Sequence, residues 1–232
     1  MIFIGRALFE PWYHLFSQFK LELTLGSDII SCLVIHFIYS SLSLRKITKP
    51  FDSVYVSFYK GLGGISGAML LGSEDFCSEA RIWLRRFGGN LYTLLPYAVS
   101  AWAGFKTRGL GEGGGPTFVE KRDKIRRVIK TLSEEDNVGS LVTFDPAIPE
   151  TNMVHGFVRA SLEDCQKAVD AICKRSGVKI LSRVRAITKD EKEESEYGCR
   201  FEWTMGDANA AVPDETFVES WRELAQVLAT QR

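Results

Sequence analysis

One lysine stands where its amine could take part in covalent chemistry. Lys60 follows residues 53–58, a β-branched and aromatic run that predicts a strand, and it precedes the glycines Gly61, Gly63 and Gly64. A deprotonated, well-placed lysine amine can form an imine with an aldehyde. The glycines permit backbone angles that other residues avoid, and they leave space for a flat ring beside the lysine. On this pattern alone a solvated lysine at a strand end is the alternative.

Two strands and two helices are predicted around this lysine. Their bounds are 53–58 and 68–71 for the strands, and 75–87 and 92–105 for the helices. The first helix has Asp75 near its start and arginines in its last turn, where cations suit the helix dipole. The second helix is apolar and should pack into a core. Residues 106–117 are rich in glycine and predict a flexible connection.

From residue 118 onward, helices and strands alternate. Residues 118–132 predict an amphipathic helix, whose apolar face holds Ile125, Val128, Ile129 and Leu132. Later helices are predicted at 161–175 and 214–229, and strands at 141–144, 152–158, 180–187 and 199–204, with a polar excursion at 189–196. Ser161 should cap its helix and Gly177 should end it. This order predicts a small α+β domain with helices on one face of a mostly antiparallel sheet.

The first 43 residues differ from the rest, being apolar and aromatic with few charges. The apolar run at 29–39 is shorter than the roughly 20 residues of a spanning helix, and it contains His36. Glu10 and Pro11 interrupt any secretory signal. A buried or ill-fitting segment is therefore expected, with a membrane anchor as the alternative. Residues 44–48 predict the last turn of a helix, which Pro50 stops.

Composition excludes several classes of protein. The 232 residues carry 29 Lys and Arg against 29 Asp and Glu, so no basic excess indicates nucleic acid or an anionic membrane surface as a partner. The five cysteines are odd in number and show no C-x-x-C spacing. Neither a disulfide framework nor a metal site is expected, and a reducing, cytoplasmic compartment fits best.

Several segments together resemble a known family. They are 44–54, the block Ser-Phe-Tyr-Lys-Gly-Leu-Gly at 57–63, 67–72 and 80–89, with looser matches at 151–153 and around Arg200. In these segments the chain resembles the threonine aldolase and aromatic amino acid β-eliminating lyase family. The resemblance covers residues 44–232.

The resemblance implies an α/β fold, the C-terminal part of a pyridoxal-phosphate enzyme of fold type I. Residues 44–117 would be a remnant of the large cofactor-binding domain and 118–232 the small α+β C-terminal domain, after an atypical extension at 1–43. The family's members are homodimers or homotetramers. They are lyases of amino acid metabolism, which cleave β-hydroxy amino acids such as threonine to glycine and acetaldehyde.

The resemblance also implies roles for individual residues. Lys60 would be the catalytic lysine that bonds pyridoxal 5'-phosphate. Gly61, Gly63 and Tyr92 would contact this cofactor, and Arg200 would hold the carboxylate of a small amino acid substrate.

The chain departs from the family at three places. Tyr92 stands where the family has a phosphate-binding arginine, and Tyr59 stands where many members have serine. An Asp-x-x-Arg pair is expected about 30 residues before the lysine, but only Asp28 is near that distance and Ser31 occupies the arginine position. We therefore expect an N-terminally truncated chain with weak or no activity alone. The alternative is a non-catalytic remnant, or an interaction partner of full-length relatives.

Overall fold

The computed structural model describes residues 2–4, 51–181, 183–187 and 197–230. The predicted helix end at 44–48, the apolar run at 29–39, and Asp28 and Ser31 lie outside these ranges, as does the polar excursion at 189–196. The chain divides into two compact units, Met1–Phe118 and Val119–Arg232.

The first unit contains a three-stranded sheet. Its strands are β1 (Ile2–Ile4), β2 (Ser53–Ser57) and β3 (Ala68–Gly72), in the order β1-β3-β2. β2 runs antiparallel to β3, with Ser57 opposite Ala68, and β1 runs parallel to β3. Val54 and Val56 of β2 are buried. The predictions of strands at 53–58 and 68–71 are confirmed.

Two helices follow this sheet. α1 spans Glu74–Arg86, and its N-cap Ser73 accepts a hydrogen bond from the amide of Phe76. α2 spans Leu95–Gly104 and continues into a π-helical turn, Phe105–Gly109. The helix predicted from 92 thus begins three residues late, with a proline in its first turn. Ala98, Ala101 and Gly104 of α2 are buried.

The prediction of a flexible connection from 106 is wrong for residues 106–109. These residues form the π-helical turn, because Phe105 is buried and the Thr107 hydroxyl donates a hydrogen bond to the Ala103 carbonyl. Arg108 is also held, since its Nη1 atom donates to the Leu62 carbonyl at 3.3 Å. A prediction that rests on the glycine content of 106–117 cannot include this tertiary contact.

The second unit is built on a four-stranded antiparallel sheet, β4-β5-β7-β6. Its strands are β4 (Val142–Asp145), β5 (Met153–Val158), β6 (Val184–Ala186) and β7 (Cys199–Thr204). Its helices are α3 (Phe118–Ser133), α4 (Asp136–Gly139), α5 (Leu162–Ser176), α6 (Asp207–Ala210) and α7 (Asp214–Ala229). The predicted mostly antiparallel α+β arrangement is confirmed in the described residues.

One face of this sheet carries the core. Trp203 is buried while its neighbour Glu202 is exposed, as alternation along a strand requires. The buried aromatic side chains contact one another and are Phe144, Phe201, Trp203, Phe217 and Trp221. The predicted apolar face of α3 is also fully buried, in the same core.

The sequence predicts the ends of α5 correctly, but not the start of the last-but-one strand. Ser161 Oγ accepts from the amide of Asp164, and Gly177 ends α5 in the left-handed conformation with φ +72°, both as predicted. The strand predicted at 180–187 is shorter in the structure. Ile180 and Leu181 are buried, but pairing begins only at Val184. An apolar run shows burial without showing which residues join a ladder.

No helix in the described ranges is long and apolar enough to cross a membrane.

Candidate functional site

Lys60 lies in a tight turn directly after β2. We define the Lys60 turn as residues 58–64. Its backbone is closed by two hydrogen bonds, from the Gly63 amide to the Lys60 carbonyl at 2.9 Å and from the Gly64 amide to the Phe58 carbonyl at 2.7 Å. Phe58 and Leu62 anchor it with side chains that are 1% and 3% exposed. The Lys60 side chain is exposed, so a fixed backbone presents its amine at the surface of the first unit.

Helix α2 and the π-helical turn hold the Lys60 turn from one side. The amide of Ile65 donates to Ser100 Oγ at 2.9 Å, and Arg108 donates to the Leu62 carbonyl. A Cβ atom at Gly104 would collide with that same carbonyl oxygen of Leu62. Glycine at 104 is therefore what allows the helix backbone to approach the turn closely.

The glycines of the turn have close neighbours. Gly63 has φ +69°, which a side chain would strain, and a Cβ there would lie 2.7 Å from the Arg108 guanidinium. A Cβ at Gly61 would lie 2.9 Å from the ring of Phe118. Both glycines therefore allow close packing of the turn. The ring of Phe118 and the guanidinium of Arg108 fill the space where their Cβ atoms would lie.

Hydroxyl groups line the strand that leads to the lysine. Tyr55 and Ser57 alternate with the buried Val54 and Val56. Burial, together with the nearby Tyr59 hydroxyl, raises the pKa of Tyr55. The buried Ser57 Oγ lies near the Tyr55 hydroxyl and acts in the opposite direction, lowering that pKa. The prediction from sequence missed these groups, although their period-two alternation along 53–59 was a readable signal.

Tyr92 and Arg200 are not part of the Lys60 turn. Tyr92 lies between α1 and α2 with its side chain 97% exposed, so it makes almost no contact within the described residues. Arg200 lies on β7 in the second unit, opposite Phe157 of β5 and Arg185 of β6. Of the predicted site residues, the structure brings Lys60, Gly61 and Gly63 together.

The described residues contain no group of three or more His, Cys, Asp or Glu side chains that could hold a metal ion. Cys77, Cys165, Cys173 and Cys199 are free thiols.

Two solved structures share this architecture. A proposed L-allo-threonine aldolase from Listeria monocytogenes matches 85% of this chain with 33% sequence identity and a TM-score of 0.69. A proposed aromatic amino acid β-eliminating lyase/threonine aldolase from Exiguobacterium matches 85% of it with 29% identity and a TM-score of 0.68. The predicted resemblance is confirmed. The chain has the mixed α/β structure of threonine aldolases and aromatic amino acid β-eliminating lyases over most of its length.

The match covers only part of each related structure. This chain spans 50% and 51% of the lengths of those two structures. No family model matches the sequence, and no curated protein matches it either.

Proposed function

We propose that this chain carries the lysine-bearing part of a pyridoxal-phosphate-dependent lyase of amino acid metabolism. The reaction class is that of a carbon-carbon lyase, threonine aldolase-like or β-eliminating. In fold terms, residues 44–117 are a remnant of the large domain of fold type I, and 118–232 are its small C-terminal domain. Activity of this chain alone is weak or absent, and a cytoplasmic location is proposed with it.

One observation carries this proposal. Several contacts fix the backbone of the Lys60 turn. They are two backbone hydrogen bonds, the buried side chains of Phe58 and Leu62, and the close approach of Gly104. In a chain that is 33% identical to a proposed L-allo-threonine aldolase, this supports a lysine held for chemistry.

The residues present fit pyridoxal phosphate in part. Lys60 offers an exposed amine on a fixed backbone, as covalent attachment of an aldehyde requires. The Ser57 hydroxyl, three residues before it, can both donate and accept a hydrogen bond, which would suit a polar ligand at the same strand end. Gly61 and Gly63 would contribute the shape of the turn, since their Cβ positions are already occupied by Phe118 and Arg108.

Bound at Lys60, pyridoxal phosphate supplies an electron sink for the charge left when the Cα–Cβ bond of a β-hydroxy amino acid breaks. The exposed Tyr92 hydroxyl would donate one hydrogen bond to the cofactor phosphate, without the charge of an arginine. Arg200 would bind the substrate carboxylate through a bidentate pair of hydrogen bonds. In the complete assembly the partners would be a second or further copies, as a homodimer or homotetramer.

The second candidate is a non-catalytic remnant that binds full-length relatives. It is favoured by the extent of the match, because the chain spans about half of each related structure. A half-length chain can retain a fold and an interface without a complete active site.

Absorbance titration with pyridoxal phosphate tests the first candidate. The full 232-residue chain should develop a saturable long-wavelength band that the free cofactor lacks. Lys60→Arg should abolish this band, because the guanidinium cannot bond the aldehyde. Lys130→Arg is the matched control, an exposed lysine of α3, and it should behave as the unchanged chain.

Two outcomes would count against the proposal. An equal band in Lys60→Arg would show that another amine reacts. A folded chain with no band at any cofactor concentration would favour the non-catalytic candidate, which capture of a full-length relative would then support.

A further inference from the structure

Two cysteines of the second unit bury their thiols at the same end of its helix and sheet layers. Cys165 lies in the first turn of α5, and Cys199 is the first residue of β7. Both side chains are 0% exposed and belong to the core of this unit. Neither has a role in the proposed cofactor chemistry, so what two such thiols can do is a separate matter.

The backbone brings the start of β7 against the start of α5. Cys199 lies opposite Val158, the last residue of β5, and the Gly198 amide donates a hydrogen bond to the Val158 carbonyl at 3.0 Å. A Cβ atom at Gly198 would collide with the carbonyl oxygen of Ala160, which lies between β5 and α5. Glycine at 198 therefore allows the chain at Cys199 to approach the first turn of α5 closely.

The two thiols point into the same layer and touch there. Cys199 is buried on the same face of β7 as Phe201 and Trp203, as alternation along a strand requires. Cys165 is the first buried residue of α5. The Cys165 thiol donates a hydrogen bond to the Cys199 sulfur. The two sulfur atoms are therefore neighbours, as the formation of a disulfide requires.

This hydrogen bond makes the two thiols unequal. It lowers the pKa of the Cys199 thiol, although burial opposes the change. It raises the pKa of the Cys165 thiol, and burial raises that pKa further. Because the thiolate is the reactive form of cysteine, Cys199 is the nucleophile of the pair and Cys165 is the thiol that reacts second.

We propose that Cys165 and Cys199 form an oxidation site, at which a small hydroperoxide converts the two thiols into a reversible disulfide. The Cys199 thiolate attacks one oxygen of hydrogen peroxide, the O–O bond breaks, and the other oxygen leaves as hydroxide, which takes up the proton that Cys199 has lost. The Cys165 sulfur then attacks the sulfenic acid sulfur of Cys199, the S–O bond breaks, and water leaves with the Cys165 proton. Overall, two thiols are oxidised and one hydrogen peroxide is reduced to two waters.

The position of the pair sets the kind of oxidant and the scope of the inference. Because neither thiol is exposed, the oxidant must be small, and hydrogen peroxide meets that requirement. The contacts lie within the second unit, so the inference depends neither on pyridoxal phosphate nor on a partner chain. Cys173, which is half-buried on the same helix, serves as the internal comparison.

Peptide mapping of the full chain after treatment with hydrogen peroxide tests the proposal. Trypsin places the three cysteines of the second unit in three separate peptides, 160–167, 168–174 and 193–200. The first and the last should appear joined, lacking two hydrogen atoms, and should separate after dithiothreitol. This product should be more than about tenfold more abundant than any link to Cys173, since contact gives the paired thiols a high effective concentration.

Substitutions test the order of the two steps. Cys165→Ser should stop the reaction at the sulfenic acid, which dimedone then labels on Cys199. Cys199→Ser should reduce sulfenic acid labelling at Cys165 more than about tenfold below that level, because Cys165 holds its proton. Cys173→Ser is the matched control and should form the disulfide as the unchanged chain does. Circular dichroism checks that each variant remains folded, and the map of the unchanged chain needs no substitution.

Three results would overturn the proposal. In the first, Cys173 is oxidised while the peptides of Cys165 and Cys199 stay separate and reduced. In the second, the folded chain yields the same mixture of links as the chain oxidised in urea, where no fixed contact selects a pair. In the third, dimedone labels Cys165 in Cys199→Ser as strongly as it labels Cys199 in Cys165→Ser, which would contradict the assigned order of reaction.

Discussion

The two units of this chain differ in how completely they bury their own apolar residues. In the second unit one antiparallel sheet and its helices enclose a continuous aromatic and aliphatic core. Among the described residues of the first unit the core is small, and it is centred on Val54, Phe58 and Phe105. Among the large apolar side chains that are exposed in the described residues, only Ile148 belongs to the second unit.

The predicted site residues are divided between these two units. The unit with the self-sufficient core carries Arg200, whereas Lys60 belongs to the unit that leaves Trp83, Phe87 and Leu95 exposed. We infer that the second unit can fold on its own contacts.

The largest expected effect comes from opening the core of the second unit. Trp221 is fully buried, and its ring contacts those of Phe144 and Phe201 with centroids 5.3 Å away. Trp221→Ala should lower the free energy of unfolding of this unit by about 3–5 kcal/mol. Denaturant-dependent hydrogen exchange followed by mass spectrometry resolves the two units.

The matched control is Trp83→Ala in the first unit. Because Trp83 is 45% exposed, the loss should be far smaller than at Trp221. Equal losses at the two tryptophans would contradict the contrast between the units.

A smaller effect is expected where α2 meets the Lys60 turn. Gly104→Ala would drive a Cβ into the Leu62 carbonyl, so the helix or the turn must move. The first unit should lose about 1–3 kcal/mol, and the amides of Gly63 and Gly64 should exchange faster. The comparison is sharpened by Gly115→Ala in the same unit, where a Cβ meets no atom within 4 Å. Unchanged exchange at Gly63 in the Gly104 variant would show that the turn does not depend on this approach.

The smallest effect concerns an ion pair within the second unit. Asp214 accepts hydrogen bonds from the nearly buried Lys124 at 2.6 Å and from Arg127 at 2.9 Å. Although burial works to raise it, these two cations hold the pKa of Asp214 below its usual range. A carboxyl whose pKa is lowered by folding stabilises the fold above its unfolded pKa of about 3.9, and this contribution is lost as pH falls through the folded value.

Asp214→Asn should therefore cost about 1–2 kcal/mol at neutral pH. The difference from the unchanged chain should shrink as the medium is acidified below the unfolded pKa. Urea unfolding at a series of pH values measures it, with Asp170→Asn on the exposed face of α5 as the control. A difference that does not vary with pH would contradict the assignment of the ion pair.

The parts of the fold that could be predicted from sequence were those set by local signals. Ser161 and Gly177 define α5 through backbone geometry that their own side chains favour, and the period of Ile125, Val128, Ile129 and Leu132 gives the buried face of α3. The π-helical turn could not be predicted, because the contacts that hold it include a distant one, between Arg108 and Leu62.

Only part of the candidate site could likewise be predicted from the sequence. Lys60 and its glycines were identified from their spacing and from the family resemblance. What the glycines contact, Phe118 and Arg108, depends on tertiary packing that no spacing encodes. The buried hydroxyl of Ser57 was missed because a serine in a strand is ordinarily solvated on the open face.

The central claim is that Lys60 is the lysine to which pyridoxal phosphate bonds. Borohydride reduction of the full chain with the cofactor, followed by peptide mapping with mass spectrometry, tests it most directly. The account predicts one dominant modified peptide, carrying the reduced cofactor on Lys60 at far higher occupancy than on any other lysine. Modification spread evenly over the exposed lysines, or concentrated on a lysine other than Lys60, would contradict it.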